Sequence, residues 1–123
     1  MVESSVAETF PRQLRLTTGD DFRQVFSHNI RIAGGSITIL VNTHAGKNPR
    51  IGFAVSKKQI TKAVYRNRLK RVFRESFRKY QHRLPRRDMV IMVRKQILLS
   101  DSKQLQASIE KHWNSIIKRC EKS

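Results

Sequence analysis

Residues 57–80 read KKQITKAVYRNRLKRVFRESFRKY. Ten of these 24 residues are Lys or Arg and Glu75 is the one acid, yet apolar residues recur through the run at fixed intervals. At 100° per residue, Tyr65, Leu69, Val72, Phe73, Ser76, Phe77 and Tyr80 fall on one stripe, spaced as a core-facing helix requires. Asn67, Arg71, Arg74 and Arg78 fall opposite, Arg66 and Arg68 lie on the two flanks, and Lys70 sits between flank and polar face. The spacing predicts a helix anchored by one side and presenting a cationic row on the other.

The flanking sequence says what that helix packs on. Upstream, GSITILVNT (35–43) alternates Ile37, Ile39 and Val41 with Ser36, Thr38 and Leu40, which predicts a strand. IGFAVS (51–56) puts Ile51, Phe53 and Val55 on one face and leaves the other nearly bare with Gly52, Ala54 and Ser56. The turn-rich HAGKNPR between the two runs suggests that they pair as antiparallel neighbours. Downstream, MVIMVRK (89–95) has no alternation and reads as a strand buried on both faces. Thr18 and Asp21 have capping-box spacing ahead of Phe22, Val25 and Phe26, the mark of a short first helix. Ser100 and Asp101 open a last helix, along which Leu105, Ile109, Trp113, Ile116, Ile117 and Cys120 recur at helical spacing. The order helix, strands, helix, strand, helix predicts an α+β sandwich on one main, mostly antiparallel sheet. A chain of 123 residues fits a single domain over 1–123, with residues 1–12 flexible or extended.

Charge narrows the function. Lys and Arg number 26 against 9 acids, a formal net charge of +17. Such self-repulsion works against a compact state, and a polyanion partner relieves it. A merely solvated helix face mixes signs and forms Glu–Lys pairs, whereas residues 57–80 offer Glu75 alone. A membrane-surface helix would turn its apolar side to lipid, but that side is needed here to cover the sheet. No apolar run approaches the roughly 20 residues of a membrane span. Nucleic acid is therefore the expected partner. A helix-turn-helix needs another helix three or four residues upstream, and here a strand and a short loop precede instead. Shape-reading of folded RNA through phosphates fits better, although composition alone does not separate RNA from DNA. The lone Cys120 fits a reducing compartment, and MVESSVAETFPR does not resemble a secretory signal, so a cytoplasmic protein is expected.

IGFAVSKK, followed four residues later by AVYRNRLKRVFRESFR, resembles the signature of the bacterial ribonuclease P protein subunit. RLTTGDDFRQVF, PRIGFAVSKK and DMVIMVRK extend the resemblance over most of the chain. It implies the ribosomal protein S5 domain 2-like fold, with the basic helix in a βαβ crossover of the uncommon left hand. It implies a large RNA subunit that hydrolyses one phosphodiester of precursor tRNA, releasing the 5′ leader, with Mg2+ held mainly by RNA. The partners implied are that catalytic RNA and precursor tRNA, with no membrane and no obligatory protein partner, in a bacterial cytoplasm. Carried onto this sequence, the RNA-subunit contacts are Lys57, Lys58, Arg66, Asn67, Arg68, Lys70, Arg71 and Arg74. Phe22 and Phe26 match aromatic positions beside the leader cleft, where rings can stack on any base. Leu40 stands where some members carry an aromatic in the first strand, so apolar contact replaces stacking there. Because Arg66, Arg68 and Lys70 lie off the apolar stripe, they are expected to bind RNA rather than hold the fold.

Other chemistries find little support. His28, His44, His82 and His112 are too scattered for a zinc pattern and are expected at surface or boundary positions. Gly34-Gly35 precedes a strand, not the lysine and helix of a phosphate loop. Asp20-Asp21 suits a helix start better than a two-metal nuclease. No catalytic residue is assigned to the protein. The competing reading is a basic ribosomal or ribosome-assembly protein that binds RNA without a role in cleavage.

Overall fold

Thr18 starts the first helix as the sequence predicts. In the computed structural model, which describes residues 12–121, its Oγ1 accepts the Asp21 amide at 3.1 Å and opens α1 (Gly19–Ser27). Asn29 closes the helix, its Nδ2 donating to the carbonyls of Val25 and Phe26. The chain then forms β1 (Asn29–Gly34), absent from the sequence reading, and β2 (Ile37–Asn42). Gly35 at φ +57° makes the first position of the two-residue turn between them, a conformation that favours glycine. β3 (Arg50–Phe53), α2 (Ala63–Tyr80), β4 (Asp88–Val93), a 3-10 helix (Lys95–Leu99) and α3 (Ser102–Glu121) follow. Asp101 and Gln104 cap α3 reciprocally, each side chain accepting the other's amide at 2.8 and 3.0 Å.

The sheet order is β1-β2-β4-β3, with β3 and β4 parallel and the other pairs antiparallel. The expected antiparallel pairing of 35–43 with 51–56 does not form, because β4 lies between them. Continuously apolar β4 takes a central position and is covered on both faces, whereas short β3, with Gly52, takes the edge. The basic helix α2 thus connects two adjacent parallel strands, the expected βαβ unit. Residues 1–11, and with them most of the stretch expected to be flexible or extended, lie outside the described residues. Arg12–Leu14 form a 3-10 turn, after which the Leu16 amide donates to the Ile51 carbonyl at 2.9 Å and covers the edge of β3.

Helices cover both faces of the sheet. On one face Ile37, Ile39, Val41, Ile51, Met89 and Ile91 are buried with Leu69, Phe73 and Phe77 of α2 and Ile109, Trp113 and Ile116 of α3. Phe77 and Trp113 meet edge-on at 5.9 Å, and the indole N–H donates to Ser76 Oγ at 2.8 Å, so the two helices are joined by packing and a satisfied polar contact. His112 is buried here rather than at the surface. Its ring fills the space over Gly34 and spans the carbonyls of Ser108 and Ile37 at 2.7 and 3.1 Å. On the opposite face α1 packs through Val25 on Leu40, Val90 and Leu16. Arg50 locks α1 in place with a bidentate pair to Asp88 at 2.7 Å and a 3.4 Å contact to Asp21. The Asp88 hydrogen bond chiefly raises the Arg50 pKa above its ordinary value, against the cost of partial burial, so this clamp stays charged.

Candidate nucleic-acid interface

Two surfaces meet along α2. The first is its outward face together with the loop before it. Lys57, Lys58, Asn67, Arg68 and Arg71 are exposed. Among the described residues Arg23 pairs with Asp20 and Arg50 with Asp21 and Asp88, while Lys57, Lys58, Arg68 and Arg71 have no carboxylate within ion-pair distance. Lys62 caps α2 without a side-chain hydrogen bond and no acid occupies the first turn. Cations therefore crowd the positive end of the helix dipole, which favours an anion from outside.

The loop is built to present these cations. The Ser56 carbonyl accepts the amides of Gln59 and Ile60, Ser56 Oγ accepts the Lys58 amide at 3.0 Å, and Ile60 is buried. Arg66 differs from the expectation that it serves RNA alone. Its Nη1 donates to the carbonyls of Ile60 and Thr61 at 2.8 and 2.9 Å, fastening the loop to the helix. The remaining guanidinium donors can still face a phosphate.

The second surface is a cleft on the α1 face of the sheet. Phe22 and Phe26 are one turn apart on α1. Phe22 packs into the bare face of β3, so close that a Cβ at Gly52 would come within 2.6 Å of its ring. The bare face predicted from Gly52 is therefore filled by the first helix at this point. Phe26 is 47% exposed and free to stack. Leu40 is 5% exposed beneath α1, where it forms floor rather than a contact surface. Further along the same face Thr38, Met92 and Ala54 are half-buried, and their register sets them side by side.

A recess of about 240 Å3 joins the two surfaces, lined by Arg15, Phe22, Gly52, Phe53, Lys70 and Arg74. Lys70 and Arg74 are half-buried, and the Arg74 guanidinium lies 5.4 Å from the Phe53 ring centroid. These two cations thus line the cleft, while Asn67, Arg68 and Arg71 face outward. Arg15 is a candidate that sequence reasoning missed. Its signal was present in RQLRL, where Leu14 and Leu16 turn inward and send the residue between them to the other side.

These surfaces lie on a chain whose residues 10–117 match the Ribonuclease P family model. A mutant ribonuclease P protein of Staphylococcus aureus, described as defective in mRNA degradation, has the same fold at a TM-score of 0.75 and 23% identity, over 98% of this chain and 95% of that one. The Thermotoga maritima ribonuclease P protein matches at 0.69 and 28% identity, over 85% and 96%. The same protein in complex with 1-(4-fluorophenyl)-2-thiourea matches at 0.71 and 25% identity, over 80% and 96%. With this family match spanning most of the sequence, and with the four-stranded mixed sheet and three helices aligned throughout, the chain belongs to the ribonuclease P family of bacterial protein subunits.

Proposed function

We propose that the protein docks on the catalytic RNA of ribonuclease P through the outer face of α2 and the 57–58 loop, and holds the precursor tRNA leader in the cleft beside α1. The observation that carries this reading is the division of labour along α2. Exposed Arg68 and Arg71 face away from the sheet, while Lys70 and Arg74 line the recess with Phe22. One RNA can then lie on each side of the helix. Arg forks suit phosphate oxygens and Asn67 suits a 2′-hydroxyl or base edge. A leader strand in the cleft would meet the exposed ring of Phe26 and the cations of the recess, a combination that holds single strands of any sequence.

Hydrolysis belongs to the RNA in this reading, with magnesium on its phosphates. Among the described residues no three His, Cys, Asp or Glu side chains are grouped to hold a metal ion, so no protein ligand set is assigned. The protein contributes cations that replace part of the counterion atmosphere where two RNAs crowd together. No described helix is long and apolar enough to cross a membrane, and the proposed site of action is the bacterial cytoplasm.

Reconstitution tests the proposal. RNA-free protein is expected to leave precursor tRNA intact at every magnesium concentration. Added to a bacterial ribonuclease P RNA, it is expected to lower the magnesium needed for 5′ cleavage and to tighten substrate binding. Site-specific cleavage by the RNA-free protein, or no effect on the RNA reaction, overturns it.

The exposed ring gives a second prediction. Phe26→Ala should weaken binding of leader-bearing precursor tRNA to the holoenzyme by about 1–3 kcal/mol, the usual loss of one stacking platform. Mature tRNA and RNA-subunit affinities should hold. Equal losses with and without a leader would make Phe26 a packing residue only.

A further inference from the structure

The apolar stripe that seats α2 begins at Tyr65, yet Tyr65 is 39% exposed while Leu69, one turn on, is buried. Tyr65 stands on the lip of a groove of about 470 Å3 between α2, the 3-10 helix Lys95–Leu99 and the first turn of α3. Leu69, Val72, Ile97 and Leu105 line it, and Arg68 forms part of its wall. Leu98, also in the lining, is 45% exposed, and neighbouring Leu99 is 86% exposed. This volume lies within the range of roughly 300–1,000 Å3 usual for small-ligand sites. An apolar hollow with an open aromatic lip is costly to leave in water.

Charge decides what can cover it. Arg68 belongs both to the groove and to the outward cationic row, and Lys62 Nζ lies 6.0 Å from the Tyr65 ring centroid. Among the described residues neither cation has a carboxylate within ion-pair distance. Asp101, the acid in the lining, is engaged as the α3 cap through Gln104. A second copy would bring another +17 chain against these cations. A polyanion that also carries flat apolar rings satisfies both the hollow and its charged rim, and RNA is such a polyanion.

We propose that this groove is a base-recognition subsite, taking one unstacked base of the RNA that docks along α2. The base stacks on Tyr65 over the apolar floor, Lys62 and Arg68 hold the flanking phosphates, and Ser102 and Gln106 at the α3 end reach its polar edge. The inference rests on the docking reading above and adds to it a contact that salt does not screen.

Two measurements test it, both with the full-length protein and a bacterial ribonuclease P RNA. In salt titrations of RNA binding, Tyr65→Ala should weaken affinity about 5- to 150-fold at every salt concentration without changing the slope, as loss of stacking requires. Tyr65→Phe should restore it. Arg68→Ala should instead reduce the log–log slope by about 0.7–0.9. A photo-crosslinking side chain at position 98 should join the protein to a single unpaired RNA nucleotide, with position 71 as the docking control. Crosslinking at 71 but not at 98, or from 98 to another protein or a second copy, overturns the subsite and leaves docking intact. Absence of RNA crosslinks at both positions overturns the two together.

Discussion

Replacing Lys58, Arg68 and Arg71 together by Ala is expected to lower affinity for the RNA subunit about 100- to 500-fold at 0.1 M salt and to flatten its salt dependence. Each lost phosphate contact removes roughly 0.7–0.9 from the log–log slope, so three remove about 2.1–2.7. The same arithmetic gives the affinity, since each contact is worth that fraction of a decade per decade of salt below 1 M. All three side chains are exposed and make no ion pair among the described residues, so the fold loses nothing with them. Removing like charges from a +17 chain relieves repulsion, and the thermal midpoint should hold or rise.

Arg66→Ala is the informative contrast. It removes the two hydrogen bonds that fasten the loop carbonyls of Ile60 and Thr61 to α2, so affinity and stability should fall together. A triple variant that unfolds, or one that keeps the full salt slope, would place the RNA elsewhere on the surface.

That contrast marks where the sequence stops being legible. Periodicity places α2 and α3, the unbroken apolar run of MVIMV places β4, and the Thr18–Asp21 spacing places the start of α1, because each depends on neighbours close in sequence. Arg66 was assigned to RNA alone because its second role is to bond carbonyls of a loop whose path no local pattern encodes. The β2–β3 pairing failed for a related reason. Chain neighbours are usually sheet neighbours, and only the two-sided apolar character of MVIMV hinted that β4 would insert between them. β1 was overlooked although Ile30 and Ile32 alternate ahead of Gly35-Ser36, a hairpin signal weakened by the polar residues of an edge strand. In the cleft, the resemblance supplies Phe22 and Phe26 as stacking rings and Leu40 as an apolar contact. Burial separates them into a packing wedge, an open ring and a floor, a distinction set by how α1 sits on the sheet.

Gly52→Ala is expected to be the most damaging one-atom change on the cleft face. The added Cβ would stand 2.6 and 2.9 Å from the Phe22 ring and 2.8 Å from Leu16 Cβ, distances that real Cβ atoms do not tolerate. Gly52 is buried between β4 and the 15–16 segment, so the strand cannot retreat. Either the Phe22 ring swings out into water, or α1 lifts and strains the Asp21–Arg50 contact and the packing of Val25. Overpacking of this kind costs about 1–3 kcal/mol. A less flexible unfolded chain offsets only about 0.4–1 kcal/mol of that. A fall in Tm of several degrees should result, together with weaker binding of leader-bearing substrate, because Phe22 and Phe26 move with α1. RNA-subunit affinity should be unchanged, since the outward face of α2 lies on the other side of the sheet. Phe22→Leu, harmful alone, should partly rescue the Gly52→Ala protein, a coupling that a double-mutant cycle measures. Additive effects of the two substitutions, or a Gly52→Ala protein with native stability and leader affinity, would mean that contact between Phe22 and the bare strand face does not set the cleft.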